Sequence, residues 1–270
     1  MVRCFFEHFV KSYVMKIERK DYPSDFKDVL AYCEKNRLFV GEGNPDSKIL
    51  LIGKEIGGIS SKENDPKMVR EISERDVERN LGTWNSPGGY DLGRLQEDVS
   101  ANPTWTSYQK LVGGVIGNDL GRGHYRFLDH CFMTELNDIH LPNSNYGGKE
   151  HRKEIDAMRK SSVCARTELF RMPFFRNFPV VVMACGHYPK RFGIDIQEIF
   201  GVVWKKETTV LSVGNFYNEH YGPGRILIHT RQMSMGVTDR LLSEIAGLCN
   251  PFYRLGRGPA GRTSDRIVPE

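Results

Sequence analysis

Four short apolar stretches restrict the fold of this chain more than any other feature: Ile49-Leu-Leu-Ile52, residues 127–136 (FLDHCFMTEL), Val180-Val-Val-Met183 and Ile226-Leu-Ile228. Apolar runs of this length, bounded by Gly, Pro or polar residues, fit strands buried on both faces, which is the condition of a parallel sheet. The segments between them read as helices. Residues 66–80 follow Asp65 as N-cap with Pro66 in the first turn, and residues 151–166 carry charge with apolar positions at helical spacing. Val237, Leu241, Leu242, Ile245 and Leu248 form one apolar stripe on a last helix.

Strands alternating with helices predict an α/β protein, a three-layer α/β/α sandwich around a central, mostly parallel four-stranded sheet. A pair of helices within residues 3–36 is expected to pack on it. The organisation expected is therefore an amino-terminal helical segment over 1–40, an α/β domain over 41–250 and a flexible Gly/Arg-rich tail over 251–270. Residues 82–104 and 140–149 are rich in Gly, Asn, Ser and Pro and read as long excursions from the sheet, a type of loop that is often functional.

Composition narrows the function classes. With 38 Lys and Arg against 34 Asp and Glu, a net charge of +4 permits a polyanionic partner without requiring one. The cysteines Cys4, Cys33, Cys131, Cys164, Cys185 and Cys249 are scattered, with no CxxC pair or metal-ligand spacing, and read as reduced thiols with no metal site. Glu7 and Lys11 interrupt the amino terminus before a signal-peptide core can form, and no run of about 18 apolar residues occurs, so a cytoplasmic protein without a membrane partner is expected. No GxGxxG follows one of the strand-like runs and no GxxxxGK[ST] is present, which removes support for a nucleotide-binding enzyme.

In open α/β sheets, ligands bind beyond the carboxyl ends of the strands. The four runs then give four addresses, residues 53–58, 134–138, 186–188 and 229–236. They bring forward Lys54, Glu55, Glu135, Asn137, His187, His229, Arg231, Gln232 and Ser234, a set suited to acid/base work or to recognition of a polar heterocycle.

The order GNPDSKILLIGKEIG (43–57), FMTELN (132–137), FPVVVMACGHYPKRFG (178–193) and RILIHTRQMSMGVTDRLLSEI (225–245) resembles the uracil-DNA glycosylase superfamily over roughly residues 40–248. The resemblance implies a glycosylase that flips a base from DNA and hydrolyses its N-glycosidic bond, with no cofactor. It puts Gly53, Lys54, Glu55, Ile56 and Gly57 on the first motif, with Glu55 where some branches carry the water-activating acid and Lys54 where others do. Gly57 stands in place of an aromatic that excludes thymine. His229 falls on the His of a His-Pro-Ser motif, as a donor to uracil O2, while Thr230 and Arg231 replace the Pro and Ser. Glu135 or Asn137 is the reader of the base edge, and Trp105, with Tyr90 behind it, is the candidate stacking ring. Arg231, Gln232, Ser234 and Lys54 are assigned to the DNA contact. Cys33 lacks the CxxC partner of the iron-sulfur branch, so no cluster is expected.

Plain structural readings stand beside these. Lys54-Glu55 also fits an ordinary ion pair on a βα loop, and His229 a strand cap. His187 and the Gly57-Gly58 pair fit a tight turn, Asn137 a local loop bond and Trp105 a partly core position. A catalytically silent nucleic-acid-binding member of the superfamily is the alternative to an enzyme.

Overall fold

The computed structural model describes residues 21–57, 65–86, 90–91, 102–121, 125–140, 148–211, 214–234 and 236–256, with a short strand β1 at Lys16–Ile17. In chain order the elements that follow are α1 (Ser24–Asn36), β2 (Glu42–Gly43), β3 (Ile49–Gly53), α2 (Pro66–Trp84), β4 (Tyr90–Asp91), α3 (Pro103–Ile116), β5 (Phe132–Glu135), α4 (Gly148–Phe170) and α5 (Pro173–Arg176). Then come β6 (Val180–Met183), α6 (Tyr188–Phe192), α7 (Ile196–Phe200), β7 (Val203–Thr209), β8 (Phe216–Gly222), β9 (Arg225–Thr230) and α8 (Asp239–Leu255).

Each apolar run forms a strand. The second does so only in part: Asp129 and His130 interrupt it, so a 3-10 turn at Phe127–Asp129 precedes β5. Every residue of β3 and β6 is buried, as expected of strands covered on both faces. β5, β3, β6 and β9 lie side by side and parallel, with Ile52 level with Thr134 on one side and Met183 on the other, and Met183 level with His229.

The expected four-stranded sheet is the centre of a larger one. Among the described residues seven strands join in the order β2-β5-β3-β6-β9-β8-β7, with β2, β8 and β7 antiparallel to their neighbours. β7 was missed because it carries no apolar run: VWKKETT is an exposed edge strand whose lysines blunt edge-to-edge pairing. β8 interleaves polar residues with its buried ones, and β2 is two residues long.

The chain visits the parallel centre in the order second, first, third, fourth. Its path leaves β3 toward one edge and then returns past it to β6, so the topological switch point lies between the carboxyl ends of β3 and β6. In open sheets the crossovers diverge at such a point, and ligands bind beyond the strand ends there.

Asp65 caps α2 as read from the sequence, its carboxylate accepting from the Lys67 N–H at 2.8 Å. Asp65→Ala is expected to cost about 1 kcal/mol, read as a lower urea midpoint with an unchanged slope. On α8, Leu241, Leu242 and Ile245 are buried and Leu248 packs at the margin, whereas Val237, expected on the same stripe, precedes the N-cap Thr238 and packs against the core from outside the helix.

Of the expected amino-terminal helix pair, the described residues hold one helix, α1, which buries Phe26, Val29, Leu30 and Cys33 into the same core as the sheet, while Lys16 and Ile17 pair antiparallel with Asp91 and Tyr90. Residues 1–15 and 18–20 lie outside the described residues, as does most of the 82–104 and 140–149 excursions. α8 runs to Leu255, past the expected domain end at 250, and residues 257–270 of the tail lie outside the described residues.

Candidate functional site

The carboxyl ends of β3, β5, β6 and β9 collect most of the expected residues. Gly53 ends β3, and its bare Cα faces the Glu135 side chain, whose Oε2 lies 2.2 Å from where a Cβ would stand. Glu55 is buried two residues on. Its Oε2 accepts from the Tyr188 hydroxyl and lies 3.7 Å from Arg159 Nε, while its Oε1 is 3.9 Å from Lys54 Nζ. Lys54 is also buried, with its ammonium 4.9 Å from the Tyr188 ring centre. Burial, with Arg159 and Arg191 nearby, lowers the Lys54 pKa below the ordinary lysine value, against the pull of Glu55. The pair is therefore no surface ion pair, because both partners are removed from water.

His229 stands on β9 level with Met183 and two strand spacings from β3, about 10 Å. Its Nε2 is 2.6 Å from the Gly186 carbonyl oxygen. A carbonyl only accepts, so Nε2 carries the proton and Nδ1 the lone pair, and burial lowers the imidazole pKa toward this neutral form. The segment after β6 thus joins both expected catalytic residues, with Gly186 held by His229 and Tyr188 by Glu55. Exposed His187 lies between them, its pKa lowered by partial burial and by Lys54 and Arg191.

Glu135 ends β5. Its Oε2 is buried without a hydrogen-bond partner, and burial, with Glu42 and Glu55 nearby, pushes its carboxyl up to about 8 despite Arg166. At neutral pH the group is a carboxylic acid, able to donate as well as accept. Asn137 is fully buried. Its Oδ1 accepts from the Ile139 N–H at 3.1 Å, the local loop bond of the plain reading, while its buried side-chain amide also hydrogen-bonds the Tyr188 hydroxyl.

Arg231 and Gln232 are half-buried just beyond β9, and the Arg231 guanidinium donates to Asn215 Oδ1 at 3.3 Å and to the Gly236 carbonyl at 3.2 Å. Ser234 is half-buried in the same turn. Gly57 is exposed, and nothing lies within 4 Å of where its Cβ would stand; its φ is not positive, so neither crowding nor a left-handed turn requires glycine there.

Of the two aromatic expectations, one changes. Trp105 sits in the first turn of α3, edge-on to Tyr125 and Phe127 at 5.5 and 5.4 Å between ring centres, a partly buried position. Tyr90 is not behind it: Tyr90 is buried and stacks on Trp84 at 3.8 Å, because the β1–β4 pair lays it on the core face of α2.

Sequence reasoning missed Arg159, Arg166 and Tyr188. The two arginines are seven residues apart on α4, two turns along one face, and that spacing was the available signal. Arg159 donates to Asp156 at 3.3 Å, and Arg191 donates to the same carboxylate at 2.7 Å.

The described cysteines are all free thiols, with Cys4 outside the described residues. Among the described residues no group of three or more His, Cys, Asp or Glu is placed to hold a metal ion, and no helix is long and apolar enough to cross a membrane. No protein-family model matches the chain, and no curated protein matches it in sequence.

Proposed function

We propose that this protein is a DNA glycosylase-like hydrolase, cleaving the N-glycosidic bond of uracil or a related damaged base flipped to the carboxyl edge of its sheet. The reading entails a three-layer α/β/α arrangement, with helices on both sides of the parallel strands. One observation carries it: a buried carboxylate, Glu55, stands at the topological switch point, after the strand next to the one that delivers Glu135 and Asn137 and two strands from the one that carries His229. In this reading Glu55 orients water toward the sugar while the departing base gathers charge. His229, with its Nε2 proton spent on Gly186, holds the loop in place. Donation to the base edge then falls to the Asn137 amide, set beside Tyr188, and to the Glu135 acid. DNA contact is assigned to Arg231, Gln232, Ser234 and Lys54, and Trp105 is the ring offered to the base.

The observation that favours a silent nucleic-acid-binding member is the engagement of Glu55 by Tyr188 and Arg159, which occupies the carboxylate that would hold water. Single- and double-stranded oligonucleotides carrying uracil or hypoxanthine separate the two when alkali-labile abasic sites are scored. The expected result is strand scission by the wild type and a loss of at least about a hundredfold in Glu55→Gln. Salt-sensitive DNA binding without abasic sites supports the silent member, and failure to bind at low salt overturns both.

A further inference from the structure

Lys54 is a buried amine at the switch point, held beside the Glu55 carboxylate and over the Tyr188 ring, and burying its charge is costly. Among the described residues the cations Lys54, Arg159 and Arg191 meet there with the carboxylates Glu55 and Asp156. Arginine does not deprotonate in proteins, so Lys54 is the member of this group that can present a free amine. The neutral amine then faces a carboxylate 3.9 Å away, the pairing of nucleophile and base that activates a lysine.

We propose that Lys54 is an imine-forming nucleophile, giving the site a second, lyase activity on the aldehyde of an abasic sugar in DNA. This rests on reading the site as one that generates abasic DNA. The Nζ lone pair adds to C1′ of the ring-opened sugar, and a proton moves to the aldehyde oxygen to give a carbinolamine. Loss of water leaves an imine, protonated as the iminium. Glu55 removes a proton from C2′; the C2′–C3′ double bond forms as the 3′ C–O bond breaks, and the phosphate departs with the electron pair. Water then hydrolyses the imine, returning the free amine and an unsaturated aldehyde, so no oxidant or reductant is consumed. Burial and the neighbouring arginines lower the Lys54 pKa against the pull of Glu55, which raises the share of the reactive free amine.

The test is reductive trapping. Full-length protein is mixed with an oligonucleotide holding a preformed abasic site and treated with cyanoborohydride, which reduces an iminium to a stable amine. The expected result is a covalent protein–DNA band whose linkage maps by peptide mass spectrometry to Lys54, with at least a tenfold loss of that band in Lys54→Arg. A melting curve establishes that the variant is folded, and the mapping on wild-type protein stands whether or not it is. No band from folded wild type, a linkage mapped to another lysine, or equal trapping by a folded Lys54→Arg overturns the proposal. A parallel reaction on uracil or hypoxanthine DNA separates it from the parent reading. Base release without trapping sinks the lysine assignment alone, whereas trapping of preformed abasic DNA without base release keeps the Lys54 nucleophile and sinks the glycosylase reading.

Discussion

Arg166→Ala is expected to lower the unfolding free energy by about 3–5 kcal/mol, read from urea denaturation. The guanidinium is fully buried and donates to three acceptors on two separate segments: the Phe39 carbonyl before β2, and the Glu135 carbonyl at 3.0 Å and the Thr134 hydroxyl on β5. Its plane also lies over the Phe170 ring, 5.2 Å from the ring centre. Alanine leaves those acceptors out of reach of water and opens a cavity the length of the side chain. Arg166→Met keeps most of the apolar stem and is expected to recover the cavity share while still losing the hydrogen bonds, about 2–3 kcal/mol. A change below about 1 kcal/mol in the alanine variant would show that the guanidinium is not the strut joining α4 to β5 and to the segment before β2. Because Glu135 and Asn137 follow directly from that end of β5, the same variant should also loosen the candidate site.

The second large effect is a dependence of stability on pH that Glu135→Gln removes. In the folded protein burial holds the Glu135 carboxyl at about 8, against an ordinary value of 4.5. A carboxyl raised on folding keeps a proton that the unfolded chain releases, so its contribution to stability is full below 4.5 and is lost as pH rises through 8. Over the upper part of that window, from pH 6.5 to 8, the loss amounts to about 2 kcal/mol. Below about 6.5 the buried, neutral histidines work in the opposite direction, so the upper part isolates the carboxyl. Glu42 adds to the trend, since burial pushes it up to about 7. Urea titrations at pH 6.5 and 8 on wild type and Glu135→Gln make the comparison. The variant, which keeps the shape but cannot ionise, is expected to lose at least about 1 kcal/mol less than wild type. Parallel losses in the two proteins would place an ordinary, ionised carboxylate at this position.

Much of the frame was legible in the chain. The runs ILLI and VVVM mark β3 and β6 because a strand buried on both faces can carry little but apolar side chains. Asp65 before Pro66 marks the start of α2, since the orphan N–H groups of a first turn need a nearby acceptor. The antiparallel additions were illegible for the converse reason. β7, an exposed edge, needs no apolar run, and β2, with two residues, has no period to detect. The interrupted stretch 127–136 shows the limit from the other side, since hydropathy alone does not separate a 3-10 turn from the strand that follows it.

At the site the division follows the range of the interactions. From sequence alone, Lys54, Glu55, Glu135, Asn137 and His229 lie at strand ends, because strand ends are set by local pattern and the open-sheet rule carries them to one edge. Only the tertiary structure decided what those groups can do there. It brought the Tyr188 hydroxyl onto Glu55 across 133 residues of chain, turned the His229 Nε2 proton toward Gly186, and laid an unpartnered Glu135 acid over the bare Cα of Gly53. Protonation state and hydrogen-bonding direction depend on burial and on neighbours distant in sequence, and neither leaves a local pattern to read.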